Sequence, residues 1–192
     1  GIANYTDDDI KTLSPREHIR LRPGMYIGKL GDGTAPDDGI YVLIKEVMDN
    51  SVDEFIMGAG KVIEITVEGK AVTIRDYGRG IPLKSLAAAV SEMNTGGKYG
   101  SAAFEKTVGL NGVGVKAVNM LSSEFMARSV RDGEAHTVHF AAGIQQDDIW
   151  ESGVNERTGT LIRFVVDEEV FGEYSYNLEY VETLIKNYTY LN

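Results

Sequence analysis

Apolar and polar positions change rhythm several times along the chain. Over "GIYVLIKEVMDNSVDEFIMGAG", Ile40, Ile44, Val47, Met48, Val52 and Phe55 recur every three or four residues. That spacing predicts a helix of about 18 residues with one buried face, stopped by Gly58 or Gly60. In "KVIEITVEGKAVTIRD" the rhythm shortens to two. Ile63, Ile65 and Val67, then Val72 and Ile74 beyond a Glu68-Gly69-Lys70 turn, predict a β-hairpin. A second hairpin is predicted over "EFMARSVRDGEAHTVHFAAG", turning at Asp132-Gly133, and "GTLIRFVVD" reads as a further strand.

Punctuation residues place the rest. Ser14, Pro15 and Glu17 form a helix start, as N-cap, first helical residue and capping-box acid, and the helix must end before Pro23. "RPGMYIGKLGDGTAPDDG" reads as a loop with at most a short extended piece. "LKSLAAAVSEM", Val115 to Leu121 and "NLEYVETLIKNY" read as helices. Between Asn94 and Gly114 lie six glycines in a stretch too long for an ordinary connection. Successive strands joined by tight turns imply antiparallel pairing. The expected fold is an α+β two-layer sandwich, with a mixed, mostly antiparallel sheet and helices on one face. One domain over 1–192 is expected, with an N-terminal arm at 1–13.

Composition narrows the chemistry. There is no cysteine, which excludes disulfides, thiolate metal sites and a cysteine nucleophile. Three scattered histidines make a zinc site improbable; His136 and His139 read as surface strand residues. Nineteen basic against 29 acidic residues give a net charge of -10, so the chain is not expected to grip a nucleic-acid backbone by itself. No apolar run approaches a membrane span, and the acidic start lacks a secretory apolar core. A cytoplasmic protein with no membrane partner is expected.

Three elements carry candidate chemistry. Glu46, Asn50 and Asp53 stand at i, i+4 and i+7, within about 60° of each other and roughly opposite the apolar stripe. A solvated helix face reads the same way, but Asn50 is a good neutral oxygen ligand for Mg²⁺, and Glu46, one turn earlier, can polarise a water. In "DYGRGIP", Asp76 ends an apolar strand, where a carboxylate can accept from an exocyclic amine. Gly78 and Gly80 would let a flat ring approach the backbone. A plain turn opened by Asp is the simpler account. In "TVGLNGVGVKAVNML" glycines lead directly into a helix, a way of bringing N–H groups to a phosphate, although a tight loop looks alike.

Order and spacing combine them. Glu-x-x-x-Asn, a hairpin, Asp-x-Gly-x-Gly, a glycine loop ending in Gly-x-Gly, and Gly-Thr opening a strand follow the motif order of the GHKL (Bergerat-fold) ATPases. Within that superfamily "RPGMYIG", "EVMDNSVDE", "DYGRGIP", "TGGKY" and "VGLNGVGVKAVNMLS" closely resemble the ATPase domain of bacterial type II topoisomerase B subunits, of gyrase or topoisomerase IV. The resemblance covers nearly the whole chain. It implies ATP and Mg²⁺ as ligands, with Glu46 as general base and Asn50 as Mg²⁺ ligand. Asp76 and Thr160 would read adenine, while Gly80, Ile81 and Pro82 border it. Arg79 would pair with Glu54 over it, and Asp53 would line the same pocket. Lys98 and the backbone of Gly109, Leu110, Asn111, Gly112, Val113, Gly114 and Val115 would wrap the triphosphate. Tyr5 would reach a partner subunit's nucleotide site, and Arg131 would stand at the pocket mouth, where aminocoumarin-type inhibitors bind.

The same resemblance implies a nucleotide-dependent homodimer that drives DNA strand passage. A topoisomerase A-type subunit and DNA would be engaged by regions outside this domain. A lysine reaching the γ-phosphate would come from a following domain, so the chain alone is expected to be a fragment that binds ATP and hydrolyses it poorly. "RGIPLKSLAAAV" lacks the short insertion of many gyrase relatives, and Asn111 stands where many have His, which favours topoisomerase IV. Two other readings stay open at this point: another GHKL ATPase, of chaperone, mismatch-repair or histidine-kinase type, and a non-enzymatic interaction module whose glycine loop is a hinge.

Overall fold

A computed structural model describes residues 13–57, 62–93 and 113–190, with side chains over 13–51, 62–93 and 114–186. The first helix, α1 (Pro15–Leu21), starts as its sequence predicts: the Ser14 hydroxyl accepts from the Glu17 N–H at 3.2 Å. A four-residue helix, α2 (Gly24–Ile27), follows where a loop was expected. Pro23 supplies helical dihedrals at its N-cap, and burial of Ile27 holds the turn in place. The long helix α3 (Gly39–Met57) is as predicted, and Ile40, Ile44, Val47 and Met48 are buried. Tyr41 and Leu43 are buried too, so α3 is enclosed over more of its circumference than one stripe.

The hairpin β1 (Ile63–Glu68) and β2 (Ala71–Asp76) leads through a 3-10 turn at Leu83–Ser85 into α4 (Leu86–Ser91). Helix α5 (Val113–Met120) precedes β3 (Ser122–Arg131) and β4 (Glu134–Ala141), which turn at Asp132-Gly133 with both residues at positive φ, the geometry that suits a two-residue hairpin. Strand β5 (Ile144–Ser152) was not expected from the sequence. Every one of its residues is exposed, so it has no apolar alternation. Strand β6 (Gly159–Val166), a short helix α6 (Glu168–Phe171) and α7 (Leu178–Tyr190) complete the described chain.

The sheet order is β1-β2-β6-β3-β4-β5. Every pairing among the described strands is antiparallel, in line with the tight turns that join most of them. The last strand in sequence, β6, lies between β2 and β3. One sheet face carries Val72, Ile74, Ile162, Phe164, Phe125, Ala127, Val138 and Phe140, all buried. Helices α3, α4 and α5 pack on that face, with α3 against β2, β6 and α5. The opposite face is polar and paired: Arg128 bridges Glu151 and Glu156, and Arg163 reaches Glu124. Burying one face and solvating the other is the two-layer solution the hydrophobic pattern requires.

Candidate active site

Two groups of predicted residues assemble on the helix-covered side of the sheet. The first forms where β2 ends. Asp76 is 2% exposed, held there by the alternation that buries Val72 and Ile74. Its Oδ1 accepts from the Gly78 N–H at 3.1 Å and from the Thr160 N–H at 3.2 Å. The first bond makes the tight exit from the strand, and the second ties that exit to β6, where Thr160 stands directly opposite Asp76. The Thr160 hydroxyl accepts from the Ile81 N–H at 3.3 Å. Asp76, Thr160 and Ile81 are therefore one hydrogen-bonded unit.

Gly80 joins the same unit for a reason the sequence reading did not anticipate. It has φ +75°, and a Cβ there would lie 2.9 Å from both the Arg131 Cγ and the Val130 carbonyl oxygen. Glycine is needed for packing on β3, which brings Arg131 beside the loop. Arg79 and Pro82 are exposed on the loop, and Ile81 is half-buried against the core.

The second group joins α3 to the start of α5. A side chain built on Gly114 would begin 2.8 Å from Cδ of Glu46 and closer still to Oε2. The Glu46 carboxylate thus lies against the first turn of α5, among backbone N–H groups that have no partner within their own helix. It is half-buried, so the solvated-face reading does not describe it. Burial, and then the neighbouring Asp49 carboxylate, push its pKa above the ordinary value, with Lys45 opposing. Asn50 is half-buried one turn further along α3. The Val115 side chain is core, leaving its amide as the group it can offer.

Helix α3 packs against β2, β6 and α5 and so connects the two groups. Asp53 lies on α3 and Val113 opens α5, but their side chains lie outside the described ones, as does that of Glu54, the expected partner of Arg79. Tyr5, Lys98, Gly109, Leu110, Asn111 and Gly112 fall wholly outside the described residues.

Among the described residues, no group of three or more His, Cys, Asp or Glu side chains is arranged to hold a metal ion. Mg²⁺ does not require one, because it takes one or two protein oxygens and completes its shell with water and phosphate. The hard oxygen donor of Asn50, one turn along α3 from Glu46, suits that demand.

One of the two paired histidines differs from expectation. His136 is 4% exposed, not a surface strand residue; its Nδ1 lies 2.7 Å from the Leu83 carbonyl oxygen and its Nε2 2.9 Å from Asp148 Oδ2. His139 is half-exposed beside Asp147. Sequence reasoning also missed Ser129, whose hydroxyl donates to the Ile81 carbonyl at 2.6 Å. Both His136 and Ser129 share parity with buried apolar neighbours, Phe125 and Ala127 on β3 and Val138 and Phe140 on β4, and that parity was a readable signal.

A family model described as histidine kinase-, DNA gyrase B-, and HSP90-like ATPase matches residues 36–169. The chain belongs to this family. The match spans β1 to β6 and includes Glu46, Asp76, Gly114 and Thr160. The B subunit of DNA topoisomerase 4 from Borreliella burgdorferi is 51% identical over 191 residues, 98% of this chain and 31% of the relative. The B subunit of DNA gyrase from Treponema denticola is 34% identical over 200 residues, 99% of this chain and 31% of the relative. The chain therefore spans 31% of the length of each of these curated relatives. The crystal structure of the 43K ATPase domain of Thermus thermophilus gyrase B in complex with an aminocoumarin is similar, with TM-score 0.68 and 30% identity over 91% of this chain and 45% of that one. The sandwich is the fold of these ATPases, as the sequence motifs implied.

Proposed function

We propose that this chain is the ATP-binding domain of a type II topoisomerase B subunit, of the topoisomerase IV kind. The observation that carries the reading is the Glu46 carboxylate packed against the first turn of α5, in a family of ATPases. A carboxylate whose pKa is raised by burial is a better proton acceptor near neutral pH than an exposed one. In this reading Glu46 takes a proton from the water that attacks the γ-phosphorus, and ADP leaves as the bridging oxygen bond breaks. The amides of Val113, Gly114 and Val115 face the phosphates, together with Lys98 and the backbone from Gly109 to Gly112.

Asp76 and Thr160 read the adenine. A buried carboxylate accepts from the exocyclic amine, and a keto group at that ring position would face another acceptor. Gly80, Ile81 and Pro82 border the ring, Arg79 and Asp53 complete the pocket, and Arg131 stands at its mouth. Asn50 holds Mg²⁺, which neutralises phosphate charge when bound. Tyr5 belongs to an arm that contacts a second copy.

The whole protein is then a nucleotide-gated homodimer that works with an A-type subunit on DNA in the cytoplasm. Residues 1–192 are one domain of it. An identity of 51% to a topoisomerase IV relative, against 34% to a gyrase relative, supports the topoisomerase IV assignment. Calorimetry with a non-hydrolysable ATP analogue and Mg²⁺ tests the binding: absence of heat and of any thermal shift rejects it. Decatenation by the full-length protein with its A-type subunit, outpacing supercoiling, is the expected activity; dominant supercoiling would make it a gyrase.

A further inference from the structure

Strand register places one residue from each strand in a single row across the sheet: Ile63, Asp76, Thr160, Ser129, His136 and Trp150. Asp76, Thr160, Ser129 and His136 are all buried. Three consecutive members hold the segment that follows Asp76. Thr160 accepts from the Ile81 N–H, Ser129 donates to the Ile81 carbonyl, and His136 reaches the Leu83 carbonyl. A carbonyl oxygen can only accept, so Nδ1 of His136 is the donor in that bond.

His136 is itself fixed on its far side. Its Nε2 meets Asp148 Oδ2, and the Trp150 indole N–H donates to the same oxygen at 3.1 Å. The Trp150 ring stacks on the imidazole at a centroid separation of 3.8 Å and an interplanar angle of 12°. The neighbouring strand thus holds the imidazole at the angle that aims Nδ1 at the loop.

We propose that Ser129 and His136 are positioning residues for the nucleotide base. They act through the backbone of Ile81 and Leu83, holding Gly80, Ile81 and Pro82 along the ring that Asp76 reads. The proposal rests on the ATP reading above. The bonds to both sides of Ile81 and to Leu83 leave the loop little freedom, so its shape is paid for in folding and not on binding.

Substitutions at one position separate this role from packing. Phenylalanine keeps the stack on Trp150 but neither hydrogen bond. Asparagine puts an amide N–H where Nδ1 stands, whereas glutamine reaches the Nε2 position and Asp148. In the full-length protein, the KM for ATP, kcat, and the Kd for a non-hydrolysable ATP analogue with Mg²⁺ are measured for H136F, H136Q, H136N and S129A. H136F, H136Q and S129A should raise KM and Kd roughly three- to tenfold with kcat at saturation kept, and H136N should restore most of the affinity. Affinity kept in H136F, or H136N no better than H136Q, overturns the proposal; should H136F fail to fold by its melting curve, the H136N and H136Q pair still decides. A wild type that binds no adenine nucleotide overturns the ATP reading and this proposal together, whereas tight wild-type binding with all variants equal overturns this one alone.

Discussion

The carboxylate of Glu46 occupies the space that a side chain on Gly114 would need. Gly114 sits in the first turn of α5, where alanine is the better helix former by about 1 kcal/mol. Gly114→Ala should therefore leave the fold intact while displacing the carboxylate. The expected result is an unchanged or higher Tm with ATP hydrolysis by the full-length protein down at least ~10-fold, the scale at which misplaced general bases cost rate. Normal turnover in a folded G114A protein would separate Glu46 from the chemistry.

Glu46→Gln removes the charge and keeps the shape. Nucleotide binding should persist while turnover falls by about 10²-fold or more. Only the ionised form accepts a proton, so the acid limb of the wild-type rate profile should lie above the ordinary glutamate value of 4.5, because burial and Asp49 raise this pKa.

The same shift sets a stability trend of known sign. The folded state holds the Glu46 proton more tightly than the unfolded chain does, so the contribution of Glu46 to stability falls as pH rises from 4.5 through the raised folded value. Glu46→Gln has no such slope. The Tm difference in favour of E46Q should open over that window and level off above it; a gap independent of pH would show that Glu46 is not desolvated.

At the other group, two substitutions at Asp76 should part company. Asn can keep one oxygen on the Gly78 and Thr160 amides, so D76N should fold like wild type yet bind ATP analogues at least ~10-fold more weakly. Asp76→Ala leaves both buried amides unmatched and should also lose about 1–3 kcal/mol of stability. Equal calorimetric affinity of D76N and wild type for the analogue would remove Asp76 from base reading.

Ala142 has φ +51° in the turn between β4 and β5, followed by Gly143 at +83°. The left-handed conformation costs a residue with a Cβ about 1–2 kcal/mol, partly offset in glycine by a freer unfolded chain. Ala142→Gly should raise stability by about 0.5–1 kcal/mol in denaturant titration, with nucleotide affinity unchanged.

Legibility followed the source of each element's stability. Helix α3 and the first four strands carry their burial pattern in their own residues, so spacing alone revealed them. Strand β5 gains its place from backbone pairing with β4 and shows no buried face, and an Ala-Gly turn is a weaker hairpin signal than Asn-Gly. Helix α2 hid behind Pro23-Gly24, a pair that reads as a loop. In the site, Asp76 was legible because it ends an apolar strand just ahead of Gly78 and Gly80, whereas Thr160 came only with the resemblance to the GHKL ATPases. That Glu46 meets Gly114, and His136 meets Leu83, depends on how α3, α5 and the sheet stack, which no local window contains. The polar parity of Ser129 and His136 was visible, but its target was a backbone carbonyl far away in the chain.

The central position of β6 also orders events during synthesis. Before residues 159–166 emerge, the β1–β2 hairpin and the β3–β4–β5 meander share no ladder bonds, and Asp76 and Ser129 stand on two open edges. Docking of β6 closes both edges and delivers Thr160 between those two residues in the same step. A nascent chain halted short of Gly159 is then left with two unpaired edges, the state most open to aggregation, and with the Asp76–Thr160–Ser129 row unassembled.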